Sequence, residues 1–138
     1  MALADHEAEL LRRASAAAGH AYCRYSGFAV GAAAATELGV FVGSNVENAS
    51  FGLSQCAERV ALANAVTAGA SRITHLAVAG PPGQPAGLRS PCGACRQVMM
   101  ELMQPDAVLI QDTNERIPVA GLLPGAFRAV TTARPESR

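Results

Sequence analysis

The feature that most constrains the fold is an apolar segment in the middle of the chain, residues 54–68. Between Val60 and Ala68 only Asn64 and Thr67 are polar, so the helix predicted here is apolar nearly all round. Such a helix has to be covered on two sides. In a chain of 138 residues, which by size is one domain, a sheet can cover one side. A partner subunit is the simplest cover for the other.

Strand-like and helical patterns alternate around this segment. Strands are predicted at 28–36, 39–44, 73–80, 107–111 and 116–121, the last at a sheet edge because of Pro118, and further helices at about 5–19 and 90–103. Asp5 and Ser90 are the predicted caps of those two helices. The alternation predicts a sheet covered by helices, with parallel pairing where helices cross over. Helix N-termini then gather outside the carboxyl ends of the strands, where sites form.

Composition narrows the function classes. Eleven basic and eleven acidic residues cancel, whereas a nucleic-acid binder normally carries a basic surplus. The two Tyr and four Phe are few for stacking on bases. No segment resembles a signal peptide or a membrane-spanning helix. We therefore expect a cytoplasmic protein with no nucleic-acid or membrane partner, one domain over residues 1–130 and a flexible tail over 131–138.

Three of the four cysteines suggest a metal site. Cys92 and Cys95 are three residues apart and share a face if helical, and Cys56 begins the apolar helix. Thiolates at helix starts gain from backbone N–H groups and the helix dipole. Three of them can hold zinc and leave a fourth position for water, as catalytic sites do. Glu58 lies two residues beyond Cys56, where it could move a proton without binding the metal.

Spacing alone leaves other interpretations open. The Cys-x-x-Cys pair is also typical of a redox dithiol. A closed structural zinc site is possible if Cys23, His6, His20 or His75 supplies a fourth ligand. Glu58 by itself is more typical of a solvated first-turn residue.

The polar loop 45–50 offers groups for a hydroxyl-bearing ligand. Asn45 has donors and acceptors, and the Glu47 carboxylate accepts two hydroxyls, which suits a vicinal diol. An Asx-type turn with a solvated glutamate is the alternative. Taken alone, Phe28 and Phe127 are more typical of a core.

The zinc motifs carry a resemblance to a known family. Cys56-Ala57-Glu58 with "PCGAC" matches the three-cysteine form of the zinc nucleobase deaminase signature. Over nearly all its length the chain resembles the homotetrameric cytidine deaminases. "YSGFAVGAA" is similar to their N-terminal strand motif, "NVENASFGLSQCAER" to their ribose loop and first zinc motif, "SPCGACRQ" to their second, and "LLPGAF" to their C-terminal motif.

The resemblance implies an α/β fold, a three-layer α/β/α sandwich with a five-stranded mixed sheet. It implies hydrolytic deamination of cytidine or deoxycytidine to the uracil nucleoside with release of ammonia, in pyrimidine salvage. One Zn²⁺ per subunit would be held by Cys56, Cys92 and Cys95, with Glu58 as the catalytic residue. The expected assembly is a homotetramer that completes its sites across subunits.

The same resemblance assigns contacts around the base. Phe28 would flank the base, the Ser90 carbonyl would accept from its amino group, and Ala57 would also touch the substrate. Phe127 would come from a neighbouring subunit to cover it.

It also assigns Asn45 and Glu47 to the ribose hydroxyls. Arg59, which alone would be read as a surface residue, becomes a partner of the zinc thiolates. Its charge would soften the net −1 that three thiolates give a Zn²⁺ centre.

Departures from the family pattern are few. Gly27 and Ala29 stand where the family more often has Lys and Pro, and Phe51 where Tyr is common. Blasticidin-type antibiotic-nucleoside deaminases share the zinc motifs and differ mainly in the ribose loop, so the intact "NVENAS" favours a plain nucleoside. A non-catalytic zinc-stabilised interaction module is the alternative from another class.

Overall fold

A mixed sheet with helices on both faces forms the part of the chain that this computed structural model describes, residues 2–86 and 89–129. In chain order the elements are α1 (Asp5–Ala18), β1 (Gly31–Thr36), β2 (Gly39–Ser44), α2 (Ala57–Thr67), β3 (Ile73–Ala79), α3 (Gly93–Leu102), β4 (Val108–Gln111) and β5 (Arg116–Pro118), with short 3₁₀ turns at Phe51–Leu53 and Val119–Gly121. The described strands lie in the order β2-β1-β3-β4-β5. The pair β3/β4 is parallel and the other pairs are antiparallel. The prediction of a five-stranded mixed sheet is confirmed.

The two faces of the sheet have separate cores. On one face, Leu10 and Ala14 of α1 pack against small and branched residues of β1, β3 and β4. On the other, α2 and α3 bury Leu62 and Met99 against Leu76 of β3. Alternate residues of β3 therefore serve opposite layers, as the two-residue period of a strand requires. The result is the three-layer α/β/α arrangement.

Glycines let the helices lie close to the sheet. A Cβ on Gly31 would lie 1.8 Å from the Ala14 carbonyl oxygen of α1. On Gly43 it would lie 2.4 Å from the Ala61 nitrogen of α2. Since real Cβ contacts are never that short, any side chain at either position would push a helix away from the sheet. The close approach at Gly43 therefore sets the distance between the sheet and the first turn of α2.

The start of α1 differs from the prediction. Asp5 is not the cap: the residue before the helix is Ala4, whose N–H donates to the Glu7 carboxylate at 3.0 Å. A glutamate reaching back from the first turn satisfies one of the free N–H groups there, so the helix begins without a polar cap residue.

The prediction that Ser90 caps α3 is also wrong. The helix begins at Gly93, with Cys92 in the cap position. The Ser90 hydroxyl oxygen instead accepts from the Arg96 guanidinium at 3.1 Å, and the Pro91 carbonyl accepts from Arg96 Nε at 2.9 Å. Arg96 therefore holds the irregular segment of residues 90–91 against the helix that follows it.

Membrane-spanning helices, the C-terminal tail and the exposed surface of α2 remain to be compared with the sequence predictions. None of the helices in the described ranges combines the length and apolar character needed to cross a bilayer. The tail predicted at 131–138 lies outside the described residues. On α2, Ala63 and Thr67 are exposed, so this helix has an uncovered side in a single chain.

Candidate metal centre and substrate cavity

Two helix starts bring three sulfur atoms together. Cys56 occupies the cap position of α2, Cys92 that of α3, and Cys95 lies in the first turn of α3. Their Sγ atoms all lie within 4.8 Å of one another. The convergence follows from both helices starting at the same sheet edge, as the alternating pattern predicts.

This sulfur cluster fits a single zinc ion. Zn–S bonds of about 2.3 Å place tetrahedral thiolates roughly 3.8 Å apart, a spacing the observed cluster can reach with small side-chain movements. Among the described residues no fourth ligand joins the cluster: Cys23 and His20 lie in no such group, and His6 and His75 belong to a different one. All four cysteines are free thiols. The arrangement is that of an open site rather than a closed structural one.

Charge at the cluster is shared unequally. The hydrogen bond from the Cys95 thiol lowers the pKa of Cys56 to about 5, assisted by the Arg59 guanidinium, which donates to the Cys56 sulfur at 3.5 Å. The same interaction with Cys56 raises the pKa of Cys95. Ionisation of Cys56 is therefore favoured within the cluster, and thiol protons are released when a metal binds.

Glu58 is buried beside the cluster. Its side chain lies in the first turn of α2, the residue is only 5 % exposed, and Oε2 lies 3.7 Å from the Cys95 sulfur. Burial raises the pKa of this carboxyl, and the nearby Cys56 charge raises it further. The interpretation of Glu58 as a solvated first-turn residue is therefore wrong. A carboxyl that can hold a proton at this position is suited to general acid–base chemistry.

A cavity of about 320 Å³ opens beside the cluster. Cys56, Glu58 and Cys92 are among the residues that line it. Five of the predicted substrate contacts also line it: Phe28, Asn45, Glu47, Ala57 and Ser90. The volume falls in the range of small-molecule sites. The structure thus gathers a metal-binding cluster, a buried carboxyl, an aromatic ring and polar groups around one space.

Asn45 also organises the backbone of the cavity wall. Its Nδ2 donates to the Phe28 carbonyl at 2.8 Å, and its Oδ1 accepts from the Val30 N–H at 2.9 Å. These bonds fix the extended segment that carries the Phe28 ring. One amide hydrogen and one lone pair of Asn45 remain for a ligand.

Glu47 holds the preceding turn in the same way. Its carboxylate accepts from the N–H groups of Tyr25 and Ser26, at 3.0 and 3.1 Å, and from the Ser26 hydroxyl. The hydrogen bond from the Ser26 hydroxyl is the main reason that the pKa of Glu47 is lowered. Glu47 is therefore ionised and already oriented, and it keeps accepting capacity for a ligand hydroxyl.

Arg89 supports the Phe28 ring from below, a role that the sequence does not single out. It is 4 % exposed, and its guanidinium carbon lies 4.7 Å from the centroid of the Phe28 ring. Its Nε donates to the Ala29 carbonyl at 3.2 Å, and Nη1 lies 3.5 Å from an Asp112 carboxylate oxygen. The available signal was a cation in the loop directly before the "SPCGAC" motif.

Phe127 is the predicted substrate contact that the structure does not bring to this cavity. The residue is 74 % exposed and is absent from the described cavity walls. Its carbonyl accepts from Gln97 Nε2 at 2.9 Å, which fixes the backbone while the ring faces outward. Within one chain, Phe127 does not cover the site.

The chain is similar to proteins of a known family. The model of the cytidine and deoxycytidylate deaminase zinc-binding region matches residues 4–111. The chain is 44 % identical over 125 residues to the cytidine deaminase of Halalkalibacterium halodurans, spanning 87 % of this chain and 92 % of that protein. It is 39 % identical over 125 residues to the cytidine deaminase of Mycobacterium tuberculosis, spanning 89 % and 91 %.

Solved structures agree. The crystal structure of cytidine deaminase from Burkholderia pseudomallei is similar with a TM-score of 0.77 at 43 % identity, over 91 % of this chain and 100 % of that chain. The cytidine deaminase from Mycobacterium tuberculosis gives a TM-score of 0.80 at 37 % identity, over 92 % and 100 %.

Proposed function

The chain belongs to the cytidine and deoxycytidylate deaminase family, and from this premise we propose that it is a zinc-dependent cytidine deaminase. It hydrolyses cytidine and deoxycytidine to the uracil nucleoside and releases ammonia. The observation that carries the proposal is the buried Glu58 carboxyl, 3.7 Å from a sulfur of the three-cysteine cluster and in the wall of a nucleoside-sized cavity.

Cys56, Cys92 and Cys95 hold the zinc ion of each subunit. When bound, zinc acts as a Lewis acid that makes a water molecule more acidic. Arg59, which donates to the Cys56 sulfur, offsets the negative charge of the three thiolates. The same positive charge favours the ionised form of the Cys56 thiol.

Glu58 moves the protons. Its carboxylate accepts a proton from the attacking water and delivers it to the ring nitrogen of cytosine. It then takes the proton of the hydroxyl newly bonded to the ring carbon and passes it to the amino group, which leaves as ammonia while the C=O forms. Burial favours the protonated form, so the carboxyl can hold the proton between these steps. A positioned acid–base group of this kind typically contributes about 10²–10⁴-fold.

The remaining cavity residues position the nucleoside. Phe28 flanks the base, and the Ser90 carbonyl accepts from its amino group, beside Ala57. Asn45 and Glu47 bind the ribose hydroxyls with the hydrogen-bonding capacity that their backbone contacts leave free. Orientation of the reacting carbon toward Glu58 follows from holding the substrate at both ends.

Assembly extends this proposal. Phe127 is 74 % exposed and outside the cavity of its own chain, and α2 has an uncovered side, so we assign a homotetramer in which Phe127 covers a neighbour's site. Phe127→Ala should then raise KM for cytidine while zinc content is unchanged. A stable, fully active monomer in sedimentation velocity would overturn this assignment.

The setting we propose is pyrimidine salvage in the cytoplasm. Expression of the chain should let a pyrimidine-requiring bacterial strain without its own cytidine deaminase grow on cytidine, and Glu58→Ala should not. Growth without a cytidine supply, or failure with an active and expressed enzyme, would contradict this role.

The deciding experiment combines metal analysis with an ultraviolet assay. The purified protein should contain one zinc per chain and decrease the absorbance of cytidine and deoxycytidine, with little action on a blasticidin-type nucleoside. Glu58→Ala serves as the inactive control. Zinc without turnover of cytidine would instead favour a different substrate or a non-catalytic zinc module.

A further inference from the structure

A second group of metal-binding side chains lies on the other face of the sheet. His6 and Glu7 are in the first turn of α1, and His75 is on β3. One ligand atom from each lies within 4.8 Å of the other two. Nothing in the reaction described above uses these residues.

The position of this group separates it from the cysteine cluster. His75 lies near the start of β3, opposite Val108, whereas the cysteines of α3 follow the end of that strand. Along β3, His75 shares a face with Ala77 and Ala79, which pack against the α1 layer. The three cysteines lie at the starts of α2 and α3, in the opposite layer.

Glu7 is an unusually buried carboxylate at the centre of the group. The residue is 2 % exposed, one oxygen accepts from the Ala4 N–H, and the other accepts from Arg116 Nε at 2.8 Å. Burying a carboxylate is costly unless a cation or hydrogen-bond donors compensate. Arg116 supplies that charge here, but its side chain is 47 % exposed and can leave.

The two imidazoles are placed as ligands around this carboxylate. His75 Nδ1 forms a hydrogen bond with the Thr74 hydroxyl at 2.9 Å, while Nε2 faces Glu7 at 4.0 Å. Metal-binding histidines are typically oriented through the second ring nitrogen in this way. The exposed His6 ring meets the His75 ring edge-on, with 5.4 Å between centroids.

We propose that His6, Glu7 and His75 form a second zinc site that clamps the start of α1 to β3. Two imidazoles and one carboxylate, completed by water, are a ligand set that zinc uses, whereas Ca²⁺ and Mg²⁺ prefer oxygen ligands. Binding requires the Arg116 guanidinium to withdraw from Glu7, because the two cations would otherwise lie side by side. The ion competes with an intramolecular ion pair, so this site is weaker than the three-thiolate site.

Equilibrium dialysis of the tag-free, zinc-loaded enzyme against micromolar Zn²⁺ tests the proposal. The wild type should reach two zinc ions per chain, while His6→Ala and His75→Ala should stop at one. His20→Ala, which changes the histidine outside the group, should still reach two. A wild type that saturates at one, or a His75→Ala variant that binds two, would overturn the proposal.

Loss of the second zinc in a histidine variant could also result from misfolding, so a variant that should gain affinity is needed as well. Arg116→Gln removes the competing cation, so the second zinc should bind about tenfold more tightly or better. If Glu7 and Arg116 form only a structural ion pair, Arg116→Gln will bind no second zinc, and the proposal fails. Cytidine turnover of each variant reports on the cysteine site separately, so loss of the proposed deaminase activity is distinguishable from loss of this site.

Discussion

Glu58 Oε2 lies 3.7 Å from the sulfur of Cys95, and this contact joins the first turns of α2 and α3. The carboxyl is buried next to a metal-binding cluster without being one of its three sulfur ligands. A carboxyl in that position can exchange protons with a ligand in the cavity while leaving the coordination of the metal unchanged. Cys95 thus belongs to the metal-binding cluster, while Glu58, in direct contact with it, is free to carry protons.

The first prediction follows from this separation. Glu58→Gln keeps the shape of the side chain but cannot take a proton, so turnover should fall by at least about 10²-fold. Zinc content should stay at one per chain, as measured by metal analysis. Glu9→Gln on the exposed side of α1 is the matched control and should be fully active. Near wild-type turnover of Glu58→Gln would show that the proton carrier is another group.

Removal of a sulfur ligand should have the opposite signature. Cys92→Ser should lose zinc and activity together, because two thiolates leave the ion too weakly held. Cys23→Ser is the control, since Cys23 lies outside the sulfur cluster. Metal content and turnover should be measured on the same samples. A Cys92→Ser preparation that is free of metal yet active would refute the zinc assignment.

The succession of strands and helices along the chain could be predicted because it depends on patterns that are local in sequence. The alternation of apolar runs predicted the sheet, and the helix-start positions of Cys56, Cys92 and Cys95 predicted their convergence. The ends of elements were less predictable. Ser90 has the chemistry of a cap residue, yet its hydroxyl is used by Arg96, a contact that depends on tertiary structure.

The same limit applies to the cavity. Asn45 and Glu47 were predicted as ligand contacts from their chemistry, but their hydrogen bonds to residues 25–30 are set by how two loops meet. Arg89 was not predicted, because a single arginine in a Pro/Gly-rich loop gives no periodic signal. Its position under Phe28 is visible only once strands and loops are assembled.

Arg59 should determine how tightly the zinc is held. Its guanidinium donates to the Cys56 sulfur and helps keep that thiol ionised. Arg59→Ala should therefore weaken zinc affinity by about 10–100-fold, measured by competition with a chelator. Arg12→Ala, which removes an exposed guanidinium paired with Glu9, should leave affinity unchanged. Equal zinc affinity in Arg59→Ala and wild type would contradict this role.

Glu47 should make stability depend on acidity. Hydrogen bonds from Ser26 and Tyr25 lower its pKa below the ordinary value of about 4.5. The resulting stabilisation is fully present above that value and is lost as the pH falls through the lowered folded-state pKa. The difference in unfolding free energy between wild type and Glu47→Gln should therefore shrink over this acidic range. Urea denaturation at several pH values measures it, and a difference that grows on acidification would contradict the assignment.

Arg89 should act on substrate binding through Phe28. The guanidinium lies against the Phe28 ring, and its Nε donates to the Ala29 carbonyl next to that residue. Arg89→Ala should therefore raise KM for cytidine more than it lowers kcat, with zinc retained. The loss of a buried hydrogen-bond network should also lower the free energy of unfolding by more than about 1 kcal/mol. Arg72→Ala, at an exposed position before β3, is the control.

A double-mutant cycle separates the contact with Phe28 from general destabilisation. If Arg89 acts through the ring, its effect on kcat/KM should be smaller when Phe28 is already alanine, with a coupling of about 0.5–2 kcal/mol. If the two substitutions are instead additive, Arg89 supports only the loop that precedes the second zinc motif. In that case the Phe28 ring keeps its position in Arg89→Ala, and each of the two substitutions changes KM by a separate route.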